Sequence, residues 1–189
     1  MQIGLYFGSF NPVHHGHLII ASYISGYTPL DQVWFVVSPQ NPLKPSHTLL
    51  NEYQRLHLVR IAIEGEPKLR ASDIEFYLPK PSYTIDTLTY LEEKYPDHHF
   101  SVVMGSDSFQ NLHKWKNAAT LVKRFPIFVY KRPGFEIDAR RPENITLVDA
   151  PLLQISATGI REMIKSGRSI RYLVPDSVKE EIEKNGYYR

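Results

Sequence analysis

Two histidines three residues apart, His14 and His17, with Gly16 between them, are the first groups along the chain that could act on a ligand. Just ahead stand Gly8, Ser9 and Phe10, in a stretch broken by Pro12. A strand-length apolar run (Ile3, Leu5, Tyr6, Phe7) precedes this loop, and a helix-like pattern (Leu18, Ile19, Ile20, Tyr23, Ile24) follows it. A strand, a small-residue loop and a helix in that order turn backbone N–H groups and a helix start toward whatever occupies the loop, which favours an anion. If the first turn has begun by His14, both imidazoles share one helical face and point at the same anion. His14, His15 and His17 also suggest a metal, but the chain has no cysteine and no H-E-x-x-H pattern, so no metal ligand is assigned.

A second group of candidates lies near the other end, in Ile155-Ser156-Ala157-Thr158-Gly159-Ile160-Arg161. Ser156 and Thr158 are good helix-start residues, and the apolar stripe Ile160, Met163, Ile164 runs to Gly167, placed to end the helix. Arg161 falls in the first turn of that helix, an unfavourable place for a cation unless an anion offsets the dipole; otherwise it projects into water. Between the two ends four residues carry alternatives. Lys44, in a Pro-rich loop after a strand, is a phosphate contact or a solvated lysine. Thr84 is a helix cap or a ligand contact. Asp107, just past a strand, is a helix cap or an acceptor for ribose hydroxyls. Trp115, between two lysines, packs or forms an aromatic wall for a heterocycle.

The elements that must position these groups alternate along the chain. Strands are expected at 3–7, 33–37, 69–74, 99–104, 126–130 and 145–148. Helices are expected from Leu18, from Asn51 (with Gln54 as a polar partner) toward Gly65, over Ile85, Leu88 and Leu91, after Ser156, and from Ser177, where Ser177 and Glu180 form a capping box, to Asn185-Gly186. Such alternation means a parallel sheet covered on both faces, an α/β chain with a doubly wound, Rossmann-like parallel sheet and a small helical C-terminal part. No G-x-G-x-x-G fingerprint supports a dinucleotide oxidoreductase. With 189 residues, one domain over 1–189 is expected, its helical part at about 156–189. At 42% hydrophobic and 22% charged residues the chain is neither disordered nor built for a membrane. A net charge of +2 is too small to make nucleic acid a partner. The lack of cysteine and of a secretory-type start agrees with the cytoplasm.

The motifs together resemble one family. G-S-F-N-P-V-H-H-G-H at 8–17, N-P-L-K-P at 41–45, S-Y-T-I-D-T-L at 82–88, M-G-S-D at 104–107, H-K-W at 113–115, I-S-A-T-G-I-R at 155–161 and L-V-P-D-S-V at 173–178 are similar to those of the bacterial nicotinate mononucleotide adenylyltransferases. Asn11 stands where many members have Asp, and Ala157 where many have Ser. The resemblance implies the joining of ATP and nicotinate mononucleotide into deamido-NAD, with release of pyrophosphate. The mononucleotide's 5′-phosphate, already ionised, attacks the α-phosphorus directly, so the protein's work is positioning and charge stabilisation. By the same resemblance His14, His17 and Arg161 are the catalytic groups, with Ser156 and Thr158 assisting Arg161. Gly8, Ser9 and Phe10 offer amides, Gly105 and Asp107 meet the ATP adenosine, and Lys44 is a further phosphate contact. Thr84 and Trp115 receive the nicotinate end, and Mg²⁺ is held mainly by substrate phosphates. The alternatives are nicotinamide mononucleotide as substrate, another adenylyl- or cytidylyltransferase of the same fold, and a non-catalytic nucleotide-binding module.

Overall fold

Apolar residues alternate along each strand, and the alternation sorts them onto two cores. On the strand Gln32–Val37, Val33, Phe35 and Val37 enter one buried cluster while Trp34 and Val36 enter the other. A strand that buries both faces needs cover on both, and the helices supply it. The computed structural model describes residues 1–40, 49–137, 142–151 and 153–189. Its strands are β1 (Gln2–Gly8), β2 (Gln32–Val37), β3 (Leu69–Ser72), β4 (His99–Gly105), β5 (Ile127–Tyr130) and β6 (Ile145–Val148). Its helices are α1 (His15–Tyr27), α2 (Glu52–Ala62), α3 (Thr84–Lys94), α4 (Ser106–Gln110), α5 (Ala118–Arg124), α6 (Ala157–Lys165) and α7 (Asp176–Asn185).

The six strands form one sheet in the order β3-β2-β1-β4-β5-β6, with every neighbouring pair parallel. Helices α1, α2, α6 and α7 pack on one face through Ile20, Ile24, Leu56, Val59, Ile160, Val178 and Ile182. On the other face α3 and α5 pack through Ile85, Leu88, Leu91 and Leu121. The doubly wound expectation is therefore met, and the C-terminal helices share a core with the first strand. The strand order reverses between β1 and β4, and in open sheets of this kind ligands bind in the crevice at that point, outside the carboxyl ends of the strands. Gly8 and Gly105 end those two strands.

Three local expectations need correction. β3 stops at Ser72, and Ile74, expected as its last residue, opens a 3₁₀ turn over Ile74–Tyr77. Helix α7 begins at Asp176 with Pro175 as its cap, so Ser177 lies inside the helix and its hydroxyl reaches the Ile61 carbonyl on α2 at 3.4 Å instead of capping. Helix α1 begins three residues before its apolar pattern. No helix among the described residues is long and apolar enough to cross a membrane.

Candidate active site

The loop after β1 is folded back on itself. Phe10 adopts φ of 45°, the left-handed region that side chains rarely enter. Its ring is buried against Tyr6, Phe35 and His17, with centroids 5.7, 5.2 and 5.1 Å away. The ring lies so close to Gly8 that a Cβ there would come within 2.8 Å of it, which accounts for the glycine. The chain then enters α1 at His14, the residue before the helix. His14 donates its backbone N–H to His17 Nδ1 at 3.3 Å, so the imidazole of His17 caps its own helix. The two rings stack with centroids 3.7 Å apart. A Cβ on Gly16 would come within 3.0 Å of the His14 ring, a tight approach that the glycine avoids.

Both imidazoles are held neutral. Burial lowers the His14 pKa to about 4, helped by the positive charge of Arg132. His17 is lowered in the same direction by burial, by His14 and by Arg132. Because His17 Nδ1 accepts a hydrogen bond, the ring's proton sits on Nε2, which makes that nitrogen a donor. His14 Nδ1 is buried with no hydrogen-bond partner among the described residues. The pair is a set of preformed, uncharged donors beside a loop of backbone amides.

Arg161 closes this site from the far end of the chain. Ser156 caps α6 by accepting from the Gly159 N–H at 3.1 Å, and Arg161 follows as the fifth residue of the helix, one turn in. Its Nη1 donates to the Asn11 carbonyl at 2.7 Å and its Nη2 to Thr158 Oγ1 at 3.2 Å. A second tie joins the same two regions, the His15 N–H donating to the Leu173 carbonyl at 3.0 Å. His14, His17, Gly8, Ser9, Phe10, Ser156, Thr158 and Arg161 are thus assembled around one loop, although 150 positions separate Asn11 from Arg161.

Gly105 and Asp107 sit across the crevice. Asp107 is not the cap of α4; that place belongs to Gly105, and Asp107 is the helix's second residue. Its Oδ2 accepts from Arg132 Nη1 at 3.3 Å, while Oδ1 is buried without a partner among the described residues. That oxygen occupies the space a Gly105 side chain would need, 2.5 Å from the position of a Cβ. Arg132 continues to the Tyr130 hydroxyl at 3.3 Å, and Tyr130 meets the buried Tyr6 hydroxyl at 3.2 Å. This chain connects the β4 and β5 ends to β1, where the Tyr6 ring meets the His17 ring edge-on with centroids 6.1 Å apart.

Thr84 opens α3 and does not cap it; Tyr83 stands at the cap position. Trp115 is half-buried against the core on the α3 side of the sheet. The two come from neighbouring segments, because Lys116 Nζ binds Asp86 Oδ2 at 2.7 Å and lies over the Tyr83 ring at 4.9 Å. Thr87 in the first turns of α3 donates to the buried Glu75 carboxylate at 2.9 Å, which fastens that helix start in place. Lys44 lies outside the described residues.

Sequence reasoning missed Arg55 and Arg132. Arg132 leaves a strand end in an exposed-looking Lys-Arg-Pro-Gly run, and nothing local marks it as a partner of Asp107. Arg55 did carry a signal: it lies one helical turn before Val59, on the stripe that faces the core, where a charged residue calls for explanation.

The comparisons with known proteins agree with this geometry. Residues 5–163 match the family model described as cytidylyltransferase-like. The chain is 51% identical over 189 residues to a protein of Cytophaga hutchinsonii named a probable nicotinate-nucleotide adenylyltransferase, covering 100% of this chain and 98% of that one. It is 47% identical over 192 residues to one of the same name from Flavobacterium johnsoniae, with both chains covered in full. Among solved structures, the nicotinic acid mononucleotide adenylyltransferase of Plasmodium falciparum, complexed with NaAD, superposes with a TM-score of 0.85 at 22% identity, covering 99% of this chain and 97% of that one, and so shares the fold. A histidine pair at the switch point, a guanidinium brought onto the same loop and relatives matched from end to end lead to one conclusion: the chain belongs to the nicotinate-nucleotide adenylyltransferases, within the cytidylyltransferase-like family.

Proposed function

We propose that the loop after β1 is where this enzyme joins ATP and nicotinate mononucleotide, giving deamido-NAD and pyrophosphate. The reading is supported above all by the 2.7 Å bond from Arg161 to the Asn11 carbonyl, which sets a guanidinium over the loop that leads to the stacked histidines. An oxygen of the mononucleotide's 5′-phosphate forms a bond to the α-phosphorus of ATP, and the bond from that phosphorus to the bridging oxygen breaks, releasing pyrophosphate. No proton need be removed from the nucleophile, and the histidines fit that demand as donors, not bases. His14 and His17 donate to phosphate oxygens as charge builds, from a site already desolvated. Arg161, with two N–H groups engaged among the described residues, has three of its five left for the leaving β- and γ-phosphates, beside the hydroxyls of Ser156 and Thr158. The amides of Gly8, Ser9 and Phe10 line the loop below.

Asp107 suits the adenosine end. Its Oδ1, buried beside Gly105 and without a partner among the described residues, suits ribose hydroxyls as an acceptor. The nicotinate end is assigned to Thr84 and Trp115: the first amides of α3 and the nearby Lys116 suit a pyridine carboxylate, and the indole suits its ring. Lys44 belongs to the same proposal as a phosphate contact.

The donors around the loop are imidazoles, guanidinium and amides, which complement phosphate oxygens and not a hard cation, and among the described residues no three His, Asp or Glu side chains gather as a metal cage. Mg²⁺ would be held mainly by the triphosphate's own oxygens and water, and would neutralise phosphate charge there. The helices from about 156 to 189 act with the sheet as one catalytic unit, since they share its core. We assign the activity to the cytoplasm, the compartment that supplies ATP. The test is incubation with Mg-ATP and either mononucleotide, followed by identification of the dinucleotide and of pyrophosphate. Deamido-NAD is expected, with the acid favoured over the amide by about tenfold or more; failure to form any dinucleotide overturns the proposal.

A further inference from the structure

Among the described residues the side chain of Arg55 is the largest that is fully buried, and it makes no ion pair there. Its guanidinium is spent on backbone carbonyls. Nε donates to Leu50 at 2.7 Å, Nη1 to Ser9 at 2.6 Å and Ser38 at 2.9 Å, and Nη2 to Pro39 at 3.2 Å. Ser9 follows β1, Ser38 and Pro39 follow β2, and Leu50 leads into α2. Leu50 in turn donates its N–H to Asn11 Oδ1 at 3.2 Å, which returns the connection to the loop after β1. If packing were the only need, an apolar side chain of similar volume would fill this space without desolvating a charge.

We propose that Arg55 is a positioning residue for the adenylyl transfer, one that sets the direction of the phosphate-facing amides from beneath. The argument rests on the peptide plane. The Ser9 carbonyl and the Phe10 N–H belong to one planar trans unit and point in opposite directions. With the carbonyl drawn down onto Arg55, the Phe10 N–H is turned up, away from the core and toward the open side of the loop. The left-handed backbone at Phe10 then carries the chain on to Asn11, whose own carbonyl is held by Arg161. Arg55 thus orients one end of the loop and Arg161 the other. The same fork also sets the spacing between the β1 and β2 ends, because one nitrogen, Nη1, holds both Ser9 and Ser38. No other side chain among those described supplies donors to these carbonyls in a plane. Arg55 touches no substrate in this account; it acts through the backbone.

The inference rests on the proposed function and is tested on the full-length protein with Arg55→Lys and Arg55→Met, measuring kcat, both KM values and the melting temperature, each variant assayed well below its own transition. A lysine retains the charge but not the fork, so the loop is held at fewer points. Arg55→Lys is expected to lower kcat by about tenfold to 100-fold, the scale of a misplacement of order 1 Å, while the KM for nicotinate mononucleotide moves less than about threefold. A role in stability alone would lower the melting temperature and leave kcat per folded molecule at the wild-type value, and that result overturns the inference. If Arg55→Met does not fold, Arg55→Lys decides. Wild-type protein that forms no dinucleotide refutes the proposed function and this inference with it; an active wild type with an unchanged Arg55→Lys refutes the inference alone.

Discussion

Arg55 and Arg161 grip the same loop two residues apart, yet they occupy opposite regimes. Arg55 lies in the core and commits its Nε and both terminal nitrogens to four carbonyls. Arg161 is half-buried at the crevice and makes two bonds among the described residues, to one carbonyl and one hydroxyl. A guanidinium with four of its five N–H groups on carbonyls is close to saturated and mainly holds what it already holds. An unsaturated one on a half-open face keeps donors for a ligand. The contrast separates an arginine that shapes the loop from one that is proposed to bind through it, and it identifies the two by hydrogen-bond count, not by residue type.

The comparison can be broken at either arginine. The largest effect on folding is expected at the buried one: Arg55→Met leaves four carbonyls without their donor and should cost about 3–5 kcal/mol, read from urea midpoints. A loss below about 1 kcal/mol would show that the carbonyls find water instead. Arg161→Ala should do the reverse, losing only about 1–2 kcal/mol of stability while kcat falls by about 10²–10³, the scale of one pre-placed donor to developing charge. His17→Ala should match it in kcat. Near-wild-type turnover in either variant would remove that residue from the reaction.

The histidine pair sharpens the contrast through pH. His14 titrates at about 4 in the folded chain, against an ordinary value of 6.5, so between these values the unfolded chain binds a proton that the folded chain refuses. Stability is therefore lost as pH falls from about 6.5 to 4, by up to about 3 kcal/mol from this residue. Burial is the larger cause of that refusal, and the charge of Arg132 adds to it. Unfolding midpoints across this range should slope more steeply for wild type than for His14→Gln; parallel curves would contradict the assignment. The smallest expected effect is at the pyridine end, where Trp115→Ala should raise the KM for nicotinate mononucleotide by about tenfold with little change in kcat, as fits the loss of one stacking wall. An unchanged KM would detach Trp115 from that end.

Much of this frame was legible in the chain. The largely continuous apolar runs at 33–37 and 99–104 mark strands buried on both faces because each residue has a core to enter, and the loop-helix signature at 8–17 marks the ligand end of the sheet. What escaped depends on contacts between distant segments. Ser177 and Glu180 have the spacing of a capping box, but α7 docks on α2, and that contact draws the Ser177 hydroxyl to Ile61. Asp107 reads as a cap from its place just past a strand, yet it is the second residue of α4, and its partner Arg132 arrives from the end of another strand. The start of α1 was hidden for a different reason: its cap is the ring of His17, and histidine is not a residue that sequence patterns associate with capping. Arg55 is the sharpest case, since its four acceptors are carbonyls, which every residue has and no sequence can single out.

The bond between His15 and Leu173 has a consequence for how the molecule is made. On the ribosome the histidines emerge before the second strand, but the segment that holds the mouth of α1 is synthesised roughly 160 positions after them. A nascent chain halted anywhere before that point has the imidazoles without their clasp. Only a chain made through Leu173 can hold the mouth of α1 from both sides.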